Sequence, residues 1–311
     1  MILFACNYRL INLAAILHQQ NDMPKHSIFL HLRYLSPLLV PFLLFFAGGI
    51  ILAILQSLGI GLPFPYEGDM LSSYKALLTP YMARSFLLSI KVGALAALFS
   101  VAIGTILAIG LWRMPSILQQ AGIIYKIPLI LPHLAVGFIV FFFWAKSGLI
   151  SSAMFHAGLT KTPQDFPSIL FGGDGWGMIL AYTYKQIPFA LLMIYAALKR
   201  LDTRLLETAY MLGAGRWKTF QNVTYPHIRS SLHSTFCILF LFGFGAFEIP
   251  FLLGGSQPAM LSIEAYNMYF RKELYHRPQA MAVLISIFLF SIVFLTIYLR
   301  SLSTAPEEQA R

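Results

Sequence analysis

Apolar residues in this chain fall in six long blocks separated by short polar stretches. The blocks show neither the period-two alternation of a half-buried strand nor the 3.6-residue rhythm of a helix lying on a core. A helix needs about 20 apolar residues to cross roughly 30 Å of hydrocarbon. The blocks predict spans from about Ser36 to Ile60, Arg84 to Trp112, Ile127 to Ala145, Trp176 to Leu198, Ile228 to Leu253 and Ala280 to Arg300. Gly93, Ala97 and Gly104 in the second span are small enough for another helix to come close. Pro128 and Pro132 predict irregular first turns in the third, buried against protein. Residues 146–175 read as a polar connection with room for a short helix. The expected fold class is all-α, a polytopic membrane protein with six transmembrane helices.

Composition strengthens that reading. Only 11% of the residues are charged, 58% are hydrophobic, and the mean hydropathy is +0.72. A soluble domain carries about a quarter charged residues to keep its surface wet. The formal net charge of +10 does not point to nucleic acid, because no basic stripe carries interleaved aromatics. The basic residues sit in clusters between the apolar blocks, where they act as topology signals. With the N-terminus inside, thirteen of the 22 Lys and Arg fall in inner segments and seven in outer ones, so both termini are expected in the cytoplasm. The two cysteines, Cys6 and Cys237, have no metal or redox spacing.

The chain divides into an N-terminal segment, 1–35, a membrane domain, 36–300, and a short charged tail, 301–311. Residues 1–22 are apolar but interrupted by Asn7, Arg9 and Asn12, and lack the small-residue cleavage site of a signal peptide. They read either as an upstream mis-start, with Met23 the natural start, or as an interfacial helix.

The connection between the fourth and fifth spans, 199–226, is the most informative stretch. Asp202 or Thr203 can cap a helix running through the residues after it. Gly213 permits a sharp turn that a side chain would hinder. A second short helix follows and is expected to stop at Pro226. Leu205, Leu206, Ala209 and Leu212 are expected to face the membrane domain, and Glu207, Arg216 and Lys218 to point outward.

Glu207-Thr208-Ala209, Gly213-Ala214, Phe220 and Val223-Thr224-Tyr225-Pro226 resemble the EAA signature of permease subunits of binding-protein-dependent type I ABC importers. Thr208 and Tyr225 depart from the usual Ala and Leu. The resemblance covers about residues 80–300 and implies the MetI-like permease fold in a bacterial inner membrane. In that family this loop is a coupling helix seated in a groove of a separate ATPase. The resemblance therefore implies coupling roles for Glu207, Ala209, Gly213, Ala214, Arg216 and Pro226. It also implies an ATPase dimer, a second permease subunit (identical or homologous) and an extracytoplasmic solute-binding protein as partners.

The fifth block ends in Phe-Gly-Ala-Phe-Glu-Ile-Pro-Phe-Leu-Leu-Gly-Gly, residues 244–255, which is similar to a segment of permeases in the polyamine, iron(III), sulfate and thiamine group. A carboxylate at membrane depth is costly and faces a cavity or a partner. Two readings of Glu248 stand: it lines the translocation path together with Pro250 and Lys185, or it is structural, paired with Lys91 or Lys185 or set at the outer interface. The outer stretch 256–279 reads equally as a solvated loop or a docking site for the binding protein. No nucleophile–base pair, metal-ligand spacing or glycine-rich phosphate loop is present, so the chain is expected to need no cofactor and to leave ATP hydrolysis to a partner. The group resemblance implies a small charged solute. An ATPase-independent secondary transporter or channel is the rival reading; it accounts for the spans but not for the loop.

Overall fold

The computed structural model describes residues 25–64, 66, 68–115 and 127–303, so residues 1–22 lie outside the described part. Among the described residues there is no strand. The chain divides into two units, residues 1–55 and 56–311. Most of the first helix, α1 (Lys25–Ser57), forms the described part of the first unit, with an apolar stretch over Arg33–Ser57.

The second unit begins with a short α2 (Ser72–Lys75) and the long α3 (Pro80–Arg113). Thr79 caps α3 by accepting the Met82 N–H at 3.2 Å, and Pro80 sits at the first helical position, where its missing N–H costs nothing. The third span is broken: α4 (Ile127–Ile130), then α5 (His133–Trp144), with α6 (Leu149–His156) in the stretch expected to be polar. The break falls at Leu131–Pro132, as the prolines predict. α7 (Trp176–Leu198) forms the fourth span and α8 (Thr203–Met211) opens the loop after it. α9 (Arg216–Thr219) leads through a π turn at Phe220–Thr224 into α10 (Tyr225–Gly245). α11 (Glu248–Leu253), α12 (Leu261–Tyr266) and α13 (Arg277–Ser303) complete the unit. Among the described residues, six helices are long and apolar enough to cross a membrane.

Two expectations are corrected. Pro226 does not stop a helix, since Arg216–Gly245 runs on as one apolar element. The Tyr225 N–H reaches back five residues to the Phe220 carbonyl, so the regular ladder is already opened where the proline enters. The fifth span does not run unbroken to Leu253, because Ala246 is extended (φ −70°, ψ 152°) and separates α10 from α11. Pro250 explains this: having no N–H, it cannot bond the Ala246 carbonyl four residues back. The Ser262 hydroxyl from α12 donates to that carbonyl instead, at 2.7 Å.

α7 lies at the centre and is the most buried of the six membrane-length helices among the described residues. It packs with α3 and α10 around Ala97, Ala108, Ala190, Ile194, Ile228 and Phe240. Close approach depends on small residues. A Cβ at Gly104 would lie 2.7 Å from the Ala190 Cβ, and one at Gly93 would lie 3.0 Å from the Phe244 N and 3.1 Å from the Phe240 O. One at Gly243 would lie 3.2 Å from the Gly93 Cα, so α3 and α10 cross backbone against backbone. Gln186, buried on α7, extends its Nε2 toward the Leu239 carbonyl of α10 (3.4 Å) and its Oε1 toward the Ser100 hydroxyl of α3 (3.3 Å).

Gly93→Leu should therefore force α3 and α10 apart and destabilise the protein by about 1–3 kcal/mol, the usual cost of overpacking. Gly110 on the same helix has nothing within 4 Å of its Cβ position, and Gly110→Leu should leave stability intact. Thermal unfolding of both variants in detergent checks the pair; equal melting points would remove the crossing from the account.

Candidate functional site

The 199–226 loop leaves the membrane domain from two tied ends. Leu198 and Ile228 are both fully buried in one core cluster, and the His227 Nε2 lies 3.1 Å from the Ala197 carbonyl. Asp202 caps α8 by accepting the Arg204 N–H on its Oδ1 at 3.0 Å. Thr208, the departure from Ala, donates its hydroxyl to the Arg204 carbonyl at 2.8 Å and fits the helix without strain.

The turn after α8 is closed by two crossed bonds. The Gly213 N–H donates to the Tyr210 carbonyl and the Ala214 N–H to the Ala209 carbonyl, each at 3.0 Å. This pattern is a Schellman motif, with Gly213 in the left-handed position at φ +80°. Nothing lies within 4 Å of where a Cβ would be, so backbone conformation, and not space, demands the glycine. Gly215 then caps α9, which continues without interruption into α10.

Glu207, Arg216 and Lys218 are exposed, as the sequence predicts, and Leu206 and Ala209 are half-buried. Leu205 and Leu212 depart from expectation, being 53% and 82% exposed. Met211 and Trp217 are exposed with them. The loop thus presents large apolar side chains beside its charges. A cleft of about 490 Å³ separates its inner side from the last turn of α3, where Trp112 and Arg113 meet Leu206, Tyr210 and Arg216.

The helix break holds the second group of candidates. Glu248 is exposed in the first turn of α11, and Pro250, buried, creates the break. The Tyr182 hydroxyl is buried with no hydrogen-bond partner among the described residues. Neither expected ion-pair partner engages Glu248. Lys91 reaches Asp174 at 3.8 Å and lies over the Trp176 ring. Lys185, 7% exposed, donates to the carbonyls of Pro128 (2.7 Å), Leu129 (3.1 Å) and Leu131. Pro132 has no N–H for the Pro128 carbonyl, so the break in the third span leaves oxygens that three ammonium hydrogens can cover. Glu248 forms no ion pair among the described residues.

One group is not singled out by the sequence. Glu264, 4% exposed on α12, accepts the Tyr81 hydroxyl at 2.7 Å, and the Leu261 N–H donates to the Ser89 hydroxyl at 2.9 Å. Part of the outer stretch 256–279, which reads equally as a solvated loop or a docking site, is thus folded onto α3. Its partners stand more than 170 residues away in the chain, and no local signal points to them.

Residues 100–304 match the family of binding-protein-dependent transport system inner membrane components. Among curated proteins, the molybdenum transport system permease protein ModB of Azotobacter vinelandii is 26% identical over 67% of this chain and 88% of its own length. ModB of Escherichia coli K12 is 31% identical over 48% of this chain and 62% of its own length. A putative ferric transport system permease protein, FbpB 1 of Haemophilus influenzae, is 26% identical over 66% of this chain, which spans only 32% of that protein. The fold matches a crystal structure of a bacterial ABC transporter involved in the import of the acidic polysaccharide alginate, with a TM-score of 0.71 at 18% identity over 91% of this chain and 99% of that one.

Replacing Lys185 by Met should strip the broken third span of its cover and cost about 1–3 kcal/mol, the penalty of a buried acceptor left unpaired. Ser262→Ala should have the same sign at the second break. Melting points of the purified protein measure both; a Met variant as stable as the wild type would show that the ammonium is dispensable to the fold.

Proposed function

Given that this chain belongs to the family of binding-protein-dependent transport system inner membrane components, as a permease subunit of an ABC importer whose ATP is hydrolysed by a partner, we propose that its 199–226 loop couples that partner to the translocation path. The observation that carries the proposal is the Schellman turn at Gly213 between α8 and an element continuous with the fifth span. A loop tied at both ends by buried Leu198 and Ile228 and bent by fixed hydrogen bonds resists flexing under a push. Movement of an ATPase dimer against exposed Glu207, Arg216 and the neighbouring apolar side chains is therefore passed to α7 and α10. Ala209 and Ala214 supply the crossed bond of the turn, and Pro226 enters the continuous helix just behind it. The ATPase-independent carrier or channel suggested by the spans alone does not survive family membership.

Two permease subunits, identical or homologous, enclose the path, and a binding protein delivers solute to the outer face. ATP-driven closure of the ATPases draws the two loops together and opens the path outward; hydrolysis resets it. The chain sits in the bacterial inner membrane with both termini in the cytoplasm, as the clustering of Lys and Arg favours. Glu248 lines the path at the α10–α11 break, with Pro250 setting the break, while Lys185 contributes by fixing the bend of the third span. The names of the relatives mention molybdenum, ferric and spermidine/putrescine transport, which have in common small charged solutes.

The conformational demand at Gly213 gives a sharp test. Gly213→Val, disfavoured at positive φ, should abolish ATPase association and solute uptake. Gly213→Asn, which tolerates that conformation, should keep most of both. Pull-down of the ATPase and uptake by membrane vesicles read the outcome, and normal uptake by the Val variant would remove the coupling assignment.

A further inference from the structure

Apart from Arg216, the residues lining the cleft of about 490 Å³ behind the loop take no part in the ATPase contact as argued so far. Its walls bring Arg113, in the last turn of α3, together with Arg216 of α9. Thr203 and Tyr210 add hydroxyls, while Trp112 and Phe220 add aromatic surface. No carboxylate lines it, and neither guanidinium has an ion-pair partner among the described residues. The sequence running on from α3 offers none either, since residues 114–126 contain no Asp or Glu. Two guanidiniums lining one cleft favour an anion there, and guanidinium forks beside hydroxyls match the oxygens of a phosphate.

The position of the cleft narrows the source of that phosphate. The 34 residues of α3 make a rod of about 51 Å, longer than the roughly 30 Å of hydrocarbon, so a rod that spans it carries its ends into or past the headgroup zone. Trp112 beside Arg113 is the pairing of an aromatic anchor and a cation that this zone favours. We propose that the cleft between the end of α3 and the coupling loop binds the phosphodiester headgroup of an anionic phospholipid of the cytoplasmic leaflet. The proposal rests on reading 199–226 as a cytoplasmic loop. A headgroup held there bridges α3 to α8 and α9 and stiffens the loop against the membrane domain, so coupling depends on anionic lipid.

The test uses the complete complex, permease with its ATPase, reconstituted in nanodiscs of phosphatidylcholine with or without phosphatidylglycerol. Native mass spectrometry counts phosphatidylglycerol retained on the released complex. Arg113→Gln should lower that retention about fivefold, Arg113→Lys should restore most of it, and Arg229→Gln, an exposed cation at the same end but outside the cleft, should not change it. Equal losses from the Arg113 and Arg229 variants would mean diffuse attraction to the membrane and would overturn the site. Inorganic phosphate added to phosphatidylcholine discs should leave ATPase turnover unchanged; phosphate that reproduces the effect of phosphatidylglycerol would overturn the lipid as its source. The underlying reading fails separately, by loss of the ATPase from the wild-type complex in either lipid. The cleft proposal fails when an intact complex retains no phosphatidylglycerol.

Discussion

A carbonyl oxygen freed inside hydrocarbon has no water to turn to, and two breaks in this fold are shaped by how such oxygens are covered. Pro132 frees carbonyls in the third span and Pro250 frees one in the fifth. Lys185 of α7 covers the first set and the Ser262 hydroxyl of α12 covers the second. Each cover comes from another helix, so each break is also a tie. The prolines that interrupt the spans thereby fasten the third span to the fourth, and the fifth to the outer element that precedes the sixth.

Small residues set the rest of the packing. Gly93 and Gly243 let α3 and α10 meet at their backbones, and Gly104 lets α3 settle onto Ala190 of α7. Three helices held at that distance form a block from which the 199–226 loop projects. The loop lies where carbonyls can reach water, yet it closes its own turn with the Gly213 and Ala214 bonds. These bonds satisfy carbonyls at the end of α8, and on the coupling role proposed for the loop they also give it the stiffness that passing force requires.

What the sequence disclosed follows from the range of the interactions involved. The spans were legible because hydrocarbon thickness translates directly into length. Asp202 as a cap and Gly213 as the turn were legible because capping and left-handed conformation are decided within a few residues. Pro250 was visible as a breaker, but the fifth span still reads as continuous to Leu253, since hydropathy does not register one extended residue at Ala246. Leu205 and Leu212 are apolar and read as inward-facing; their exposure fits the partner surface proposed for the loop. The acceptors of Lys185, and the Tyr81–Glu264 pair, join residues dozens to nearly two hundred positions apart, and nothing local announces them.

The central claim is that the loop itself touches the ATPase. Met211, 88% exposed at the end of α8, offers the cleanest probe. A photo-crosslinking amino acid placed there in the intact complex should, on illumination in cells, yield one covalent adduct with the ATPase subunit. An ATPase that remains bound while Met211 crosslinks only to lipid or to other proteins would contradict the account.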